Sequence, residues 1–147
     1  MPAIQRRDVS AAVARLMPHI VRGTQLEFFV RRGVTQTQFL VLMSIHAYNE
    51  CTMGRLARNL HVQLPTASGI VTRLFRAGYV HRAVDPSDRR QVVVRLSPKG
   101  KAFVADFQRV VQQRWNDVLA SLESRELATF HHILTKLHAQ LEPTHET

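Results

Sequence analysis

Side chains that can bind nucleic acid recur on one face of a short predicted helix in the middle of this 147-residue sequence. Apolar residues at i, i+3, i+4 and i+7 predict an inward stripe, which leaves hydroxyl groups, arginines and no acid on the opposite face. Hydroxyl groups can bind base edges, and guanidinium groups can bind phosphates, so we expect this outward face to contact DNA. The inward stripe is Ala67, Ile70, Val71 and Leu74, and the outward face is Pro65, Thr66, Ser68, Gly69, Thr72, Arg73 and Arg76.

A second charged cluster, DPSDRR at 85–90, lies between two segments of alternating apolar residues, 79–84 and 91–96. The alternation predicts two strands, and the composition of the intervening segment predicts a turn, so together they predict a β-hairpin. Asp88, Arg89 and Arg90 stand at its tip, where a cation can reach a DNA backbone or an adjacent minor groove. The alternative is that these charges only solvate a turn.

The basic charge of the chain is concentrated around these two clusters. Residues 52–101 contain ten Lys and Arg residues against two Asp residues, which is +8 of the chain's net +9. A localised positive field suits a polyanion, because neutralising phosphates releases counterions. We therefore expect double-stranded DNA as a partner, with a solvated basic face as the alternative.

Histidine and cysteine offer two other kinds of chemistry. His131, His132 and His138 lie on one predicted helix, and two of them share a face, but no Cys or carboxylate cluster completes a closed ligand set. We expect no metal and no cofactor. Cys51 is the only cysteine, which excludes an internal disulfide, and its apolar neighbours favour an inert thiol over a redox switch.

The remaining function classes find little support in the sequence. It has no Gly-rich phosphate loop, nucleophile elbow or His-x-x-x-His pair, so we expect no enzyme. The longest apolar run, at 39–43, is far shorter than a membrane span of about 20 residues. With one cysteine and no signal peptide, the expected location is the cytoplasm, in association with the nucleoid.

Capping signals predict the elements that position the two clusters. Residues 9–32 predict a helix that ends at Gly33 and is kinked or broken at Pro18, which lacks a backbone donor. Further helices are predicted to start at Thr35, which has the capping-box spacing with glutamine, at Thr52, and at Ser97, which is followed by proline.

The last predicted helix carries an apolar seam that suggests a second copy of the chain. Its spacing alternates between three and four residues over about two heptads, as in a coiled coil. A core-facing helix of a monomer shows a similar stripe, but this helix lies outside the compact middle of the chain, so we expect a homodimer. The seam is Leu127, Phe130, Leu134, Leu137 and Leu141.

Five stretches follow one another in the order of a known family's elements. They are TQTQF (35–39), TMGRLARNL (52–60), VQLPTASGIVTRL (62–74), DPSDRR (85–90) and VVVRLSPKG (92–100). In this order they resemble the second helix, the third helix, the recognition helix, the wing and the wing exit of the MarR-type bacterial transcription regulators. The resemblance covers roughly residues 34–101.

This resemblance implies a mainly α fold with a small β-hairpin. A winged helix-turn-helix DNA-binding region would span 34–100, flanked by long terminal dimerisation helices at 8–33 and 101–142. The family also implies a homodimeric repressor on a pseudo-palindromic operator, released by a small aromatic or phenolic effector. The alternative is a winged-helix module that contacts another protein.

The resemblance implies roles for individual residues as well. Asp88 would brace the wing while Arg90 reaches the DNA. An effector cleft between helices would hold His19, Phe39 and His46 near apolar walls, although buried or interface histidines are the simpler interpretation.

Overall fold

The computed structural model describes residues 3–22 and 24–141, and in this part of the chain seven helices surround a small sheet. The elements in order are α1 (Arg6–Val21), α2 (Thr24–Arg32), α3 (Gln36–Tyr48), β1 (Glu50–Thr52), α4 (Met53–Asn59), α5 (Leu64–Arg76), β2 (Val80–Val84), β3 (Val92–Leu96), α6 (Pro98–Leu119) and α7 (Ser124–Leu141). The fold is mainly helical with a winged helix-turn-helix in its middle, as the sequence predicts.

The N-terminal segment differs from the prediction of one helix interrupted at Pro18. Helix α1 continues through Pro18 and ends at Val21, and α2 begins at Thr24. Arg22 has an extended backbone (ψ 127°), and its N–H donates to the Pro18 carbonyl at 2.9 Å. The expected interruption therefore comes at the end of α1, three residues after Pro18, and the alternative of a kink at Pro18 stays a prediction.

The three predicted capping residues are confirmed as helix starts. Thr35 Oγ1 accepts a hydrogen bond from the Gln38 N–H at 3.2 Å, and the Gln38 side chain accepts from the Thr35 N–H at 2.9 Å. Thr52 Oγ1 accepts from the Arg55 N–H at 3.2 Å. Ser97 Oγ caps the start of α6 by accepting from a backbone N–H at 3.1 Å. Each cap satisfies a donor that would otherwise lack a partner in the first turn.

The predicted hairpin is part of a three-stranded antiparallel sheet in the order β1-β3-β2. Strands β2 and β3 form the hairpin, and β1 adds to the other edge of β3, with Cys51 opposite Val94. The prediction of a hairpin alone was incomplete, since a strand of three residues is too short to show a period of two.

The core lies between α3, α5, the sheet and the start of α6. All four residues of the predicted inward stripe of α5 are buried, which confirms the orientation of that helix. An aromatic cluster joins α2, α3 and α6, with ring centroids 4.5–6.4 Å apart. Its rings are those of Phe28, Phe29, Phe39, Phe103 and Phe107.

The first turn of α6 fixes the junction between α5 and β2. Ser97 Oγ donates to the Gly78 carbonyl at 2.5 Å, and the Lys99 ammonium donates to the Ala77 carbonyl at 2.7 Å. A Cβ on Gly100 would lie 2.1 Å from the Tyr79 carbonyl oxygen, so only glycine permits this approach. The end of α5 is therefore held by the helix that leads to the C-terminal part of the chain.

The terminal helices leave apolar side chains in solvent. On α7 no residue is buried, and Leu134 and Leu137 are 47% and 48% exposed. On α1, Val9 and Val13 are 54% and 51% exposed. None of the described helices is both long enough and apolar enough to cross a membrane.

Candidate nucleic-acid interface

The face of α5 that we predict to contact DNA is largely exposed. Thr72 is partly buried, and the remaining predicted residues of this face are exposed. A Cβ built on Gly69 meets no atom within 4 Å, so the middle of the face is open to a large partner. The exposed residues are Pro65, Thr66, Ser68, Gly69, Arg73 and Arg76. Their contact with DNA stays a prediction.

The wing is braced by its two aspartates through backbone and amide groups. Asp85 Oδ1 accepts from the N–H and the hydroxyl of Ser87, at 2.9 and 2.7 Å, and these bonds lower the pKa of the Asp85 carboxyl. Asp88 accepts from the Arg90 N–H at 3.0 Å and from the Gln91 side-chain amide at 3.2 Å. Both carboxylates are therefore satisfied within the turn, without using an arginine side chain.

The wing arginines are left available to a partner. Arg89 and Arg90 are both exposed, and in the described part of the chain neither forms an ion pair. By contrast, Arg95 at the far end of β3 is paired with Glu50, with an N–O distance of 2.5 Å. Within the described residues, the two guanidinium groups at the wing tip are therefore not held by a carboxylate.

Two residues near this interface were not predicted as site residues. Arg82 on β2 donates from Nη2 to Thr72 Oγ1 at 2.5 Å, so one acceptor lone pair of the Thr72 hydroxyl is used within the protein. Gln91 supports Asp88, as described above. No periodicity could have identified either contact, although the basic charge of 52–101 included Arg82.

A groove of 490 Å³ separates the wing from the starts of α4 and α5. Arg58 and Arg90 lie among its lining residues, together with Leu64 and Gln91. The groove is thus bordered by two arginines and runs beside the N-terminal end of the exposed face of α5.

The three predicted effector residues are not brought together within one chain. Phe39 is 8% exposed, and its ring is part of the aromatic core, 4.5 Å from that of Phe107. His19 is exposed on α1. His46 lines a different region, a cavity of 610 Å³ between α3, the sheet and α6, where its ring lies 3.3 Å from the Gln108 amide nitrogen. Phe39 is used by the core, and the role of these three residues in binding an effector stays a prediction.

Metal and thiol chemistry gain no support from the described residues. Within 3–22 and 24–141, no three His, Cys, Asp or Glu side chains are grouped so that they could hold a metal ion. Cys51 is 1% exposed, and burial raises the pKa of its thiol.

The order of α3, α4, α5 and the β2–β3 hairpin is that of the winged helix-turn-helix proteins. The acid-free face of α5 and the arginines of the wing lie where such proteins can contact DNA. Comparison with known proteins narrows this class. The MarR family model matches residues 34–92. The multiple antibiotic resistance protein MarR of Salmonella typhimurium is 33% identical over 105 residues, which is 71% of this chain and 73% of that protein. The chain belongs to the MarR family.

Solved structures show the same fold. The transcriptional regulator Tm0710 from Thermotoga maritima superposes with a TM-score of 0.78 at 21% identity, covering 93% of this chain and 96% of that one. The MepR–DNA complex of S. aureus has a TM-score of 0.66 at 22% identity, covering 89% and 98%. As a MarR family member, the protein is a DNA-binding transcription regulator and not an enzyme.

Proposed function

We propose that this protein is a ligand-released repressor that binds a pseudo-palindromic operator as a homodimer, on the bacterial nucleoid. The observation that carries the proposal is the exposed face of α5, which offers hydroxyl groups and arginines and lies beside unpaired wing arginines. Thr66 and Ser68 would contact base edges, while Arg73, Arg76 and Arg90 would contact phosphates. The fold is shared with MepR, for which a complex with DNA has been solved.

The homodimer is supported by the apolar faces of the terminal helices. The four leucines of the α7 seam stay 39–80% exposed in one chain, while Phe130 is half-buried, with its ring 6.4 Å from that of Trp115. Leu141 is 80% exposed, and α1 exposes valines in the same manner. Covering such faces with a second copy would remove apolar area from water and would link two recognition helices.

The effector would bind in the cavity lined by His46. An imidazole, the Lys101 ammonium and the Gln108 amide face apolar walls that include Ile45 and Val104. An aromatic acid or phenol needs this combination of an apolar wall with a few polar groups. Occupation of this cavity would act on α6, whose first turn holds the end of α5.

A footprint on the DNA upstream of the protein's own gene tests the proposal. We expect protection of two inverted half-sites, centred about 34 Å apart, as a two-fold dimer requires. Adding 4-hydroxybenzoate, which is both an aromatic acid and a phenol, should weaken the protection of the wild type more than that of His46→Ala. Protection of a single unsymmetrical site would contradict the dimeric operator, and no protection at low salt would favour a protein-contact module.

A further inference from the structure

Arg82 connects the wing to the exposed face of α5 by two contacts. Its Nη2 donates to Thr72 Oγ1 at 2.5 Å, and its guanidinium carbon lies 5.3 Å from the centre of the Phe75 ring. Thr72 and Phe75 lie three residues apart on α5, on neighbouring turns of one helix face. Arg82 itself is exposed and is held in β2, opposite Val94 of the central strand.

The two contacts give a reason for an exposed aromatic residue on this helix. Phe75 is 48% exposed and lies outside the buried stripe, so the core does not require it. A guanidinium over an aromatic face is attracted by the ring and is pre-organised for hydrogen bonding, because its planar fork has little freedom once it is stacked. Phe75 therefore keeps Arg82 beside Thr72, and a single N–H of the five is used in that bond.

We propose that Arg82 is a positioning residue of the DNA interface, which orients the Thr72 hydroxyl as a donor toward DNA and so determines base preference there. The proposal rests on the proposed DNA-binding function. A hydroxyl has one donor and two acceptor lone pairs, and Arg82 occupies one lone pair. The adjacent cation also repels a donor group, such as the amino group of cytosine, and favours an acceptor, such as N7 or O6 of guanine.

A double-mutant cycle on DNA tests this coupling. The probe is the duplex that the wild-type protein enriches from a library of random duplexes, and affinity is measured by fluorescence anisotropy. We expect Arg82→Ala and the near-isosteric Thr72→Val each to lower affinity about tenfold. The double variant should lose little beyond that, since both changes remove the same interaction. As a control, the fold losses of affinity caused by Arg89→Ala, on the wing tip, and by Thr72→Val should multiply in the double variant.

Base preference supplies a readout that a purely structural role would not move. Repeating the selection with Arg82→Ala and with Thr72→Val should relax the same base pair, while Thr72→Ser, which keeps the hydroxyl, should retain the wild-type preference. If Arg82→Ala fails to fold, the selections with Thr72→Val and Arg82→Lys carry the test, because lysine keeps the charge but cannot stack and donate as a fork.

Two results would overturn the inference while leaving DNA binding intact. One is a double variant whose loss is the product of the single losses, about a hundredfold. The other is a pair of selections in which the two variants relax different base pairs or none. A wild-type protein that enriches no duplex would instead overturn the proposed function, and this inference with it.

Discussion

Asp88 is an acidic residue at the tip of a wing that we propose to bind DNA. Its carboxylate accepts from the Arg90 N–H and from the Gln91 amide, so it holds the turn from which the wing arginines project. We predict that Asp88→Ala weakens binding to duplex DNA about five- to tenfold, although it removes a negative charge, because the loss of a charged hydrogen bond frees the turn.

The competing effect is electrostatic repulsion between this carboxylate and phosphate. If repulsion dominated, Asp88→Ala would bind DNA more tightly than the wild type. Asp117→Ala serves as the matched control, because it removes an exposed acid from α6, away from the wing, and should leave affinity nearly unchanged. Anisotropy titrations of the three proteins at one salt concentration decide between bracing and repulsion.

Cys51 should behave as a buried structural thiol. It is 1% exposed, its Sγ lies 3.7 Å from the Ser44 carbonyl oxygen, and burial raises its pKa. Since the thiolate is the reactive form, a raised pKa moves the rise in reactivity to higher pH in the folded protein than in the unfolded chain. We predict slow reaction with Ellman's reagent at pH 8 and fast reaction in denaturant. Equal rates in the two conditions would show that this thiol is accessible and reactive in the native state.

For individual residues, the sequence predicted which side chains of α5 are exposed, but not which side chains of other elements contact them. The stripe of α5 identified Thr66, Ser68 and Arg73 as outward-facing because helical periodicity alone decides which side of an amphipathic helix is buried. The same periodicity placed Thr72 outward but said nothing of Arg82, which reaches it from a neighbouring strand. Such contacts depend on how the wing packs against the helix, and this is a tertiary property.

Among the elements, α5 allows base readout and phosphate binding to be separated. Thr66→Ala or Ser68→Ala should relax sequence preference, at about 1–3 kcal/mol of lost discrimination for each specific contact. Arg73→Ala should instead weaken binding to all duplexes about equally, because a phosphate contact carries no sequence information. Affinities for the selected duplex and for an unrelated duplex of equal length measure both effects.

The reverse pattern would contradict the assigned orientation of α5. If Arg73→Ala changed the ratio of the two affinities while Thr66→Ala and Ser68→Ala left it constant, the helix would enter the groove by a different face. A melting curve for each variant serves as the control for folding, since all three side chains are exposed and should leave the melting temperature nearly unchanged.

The elements were predictable where a local signal defines them. Thr35, Thr52 and Ser97 begin helices because a side-chain oxygen close in sequence caps each first turn. Strand β1 was missed, since three residues become a strand only by pairing with β3, more than 40 residues away. The end of α1 lies three residues after Pro18, because a proline removes one donor but does not by itself define the residue at which the helix ends.

At the scale of the whole molecule, the exposed seam of α7 predicts that the chain depends on a second copy. Deleting residues 123–147 should give a monomer or an insoluble protein. It should also abolish binding to an operator with two half-sites, since one recognition helix contacts only one half-site. Light scattering coupled to size exclusion measures the mass of the truncated and full-length chains. A truncated protein that remains dimeric and binds normally would show that the interface lies elsewhere.

The sequence predicts the apolar seam of α7, but it does not show what packs against that seam. A stripe of this kind could pack on the chain's own core, and only the structure shows that Leu134 and Leu137 stay about half exposed. For the predicted effector residues, the residue type indicated less than the packing does. Phe39 was assigned to a cleft by its type, but the aromatic cluster of α2, α3 and α6 uses it.

The central claim, that the open face of α5 and the basic wing bind duplex DNA, is tested most directly by affinity as a function of salt. The full-length protein is titrated with the selected duplex between 50 and 200 mM salt. About six phosphate contacts, three from each protomer of a dimer, predict a linear fall of log affinity with log salt and a loss of about 10³-fold over this range. Absence of binding at 50 mM salt, or an affinity that does not change with salt, would contradict the claim.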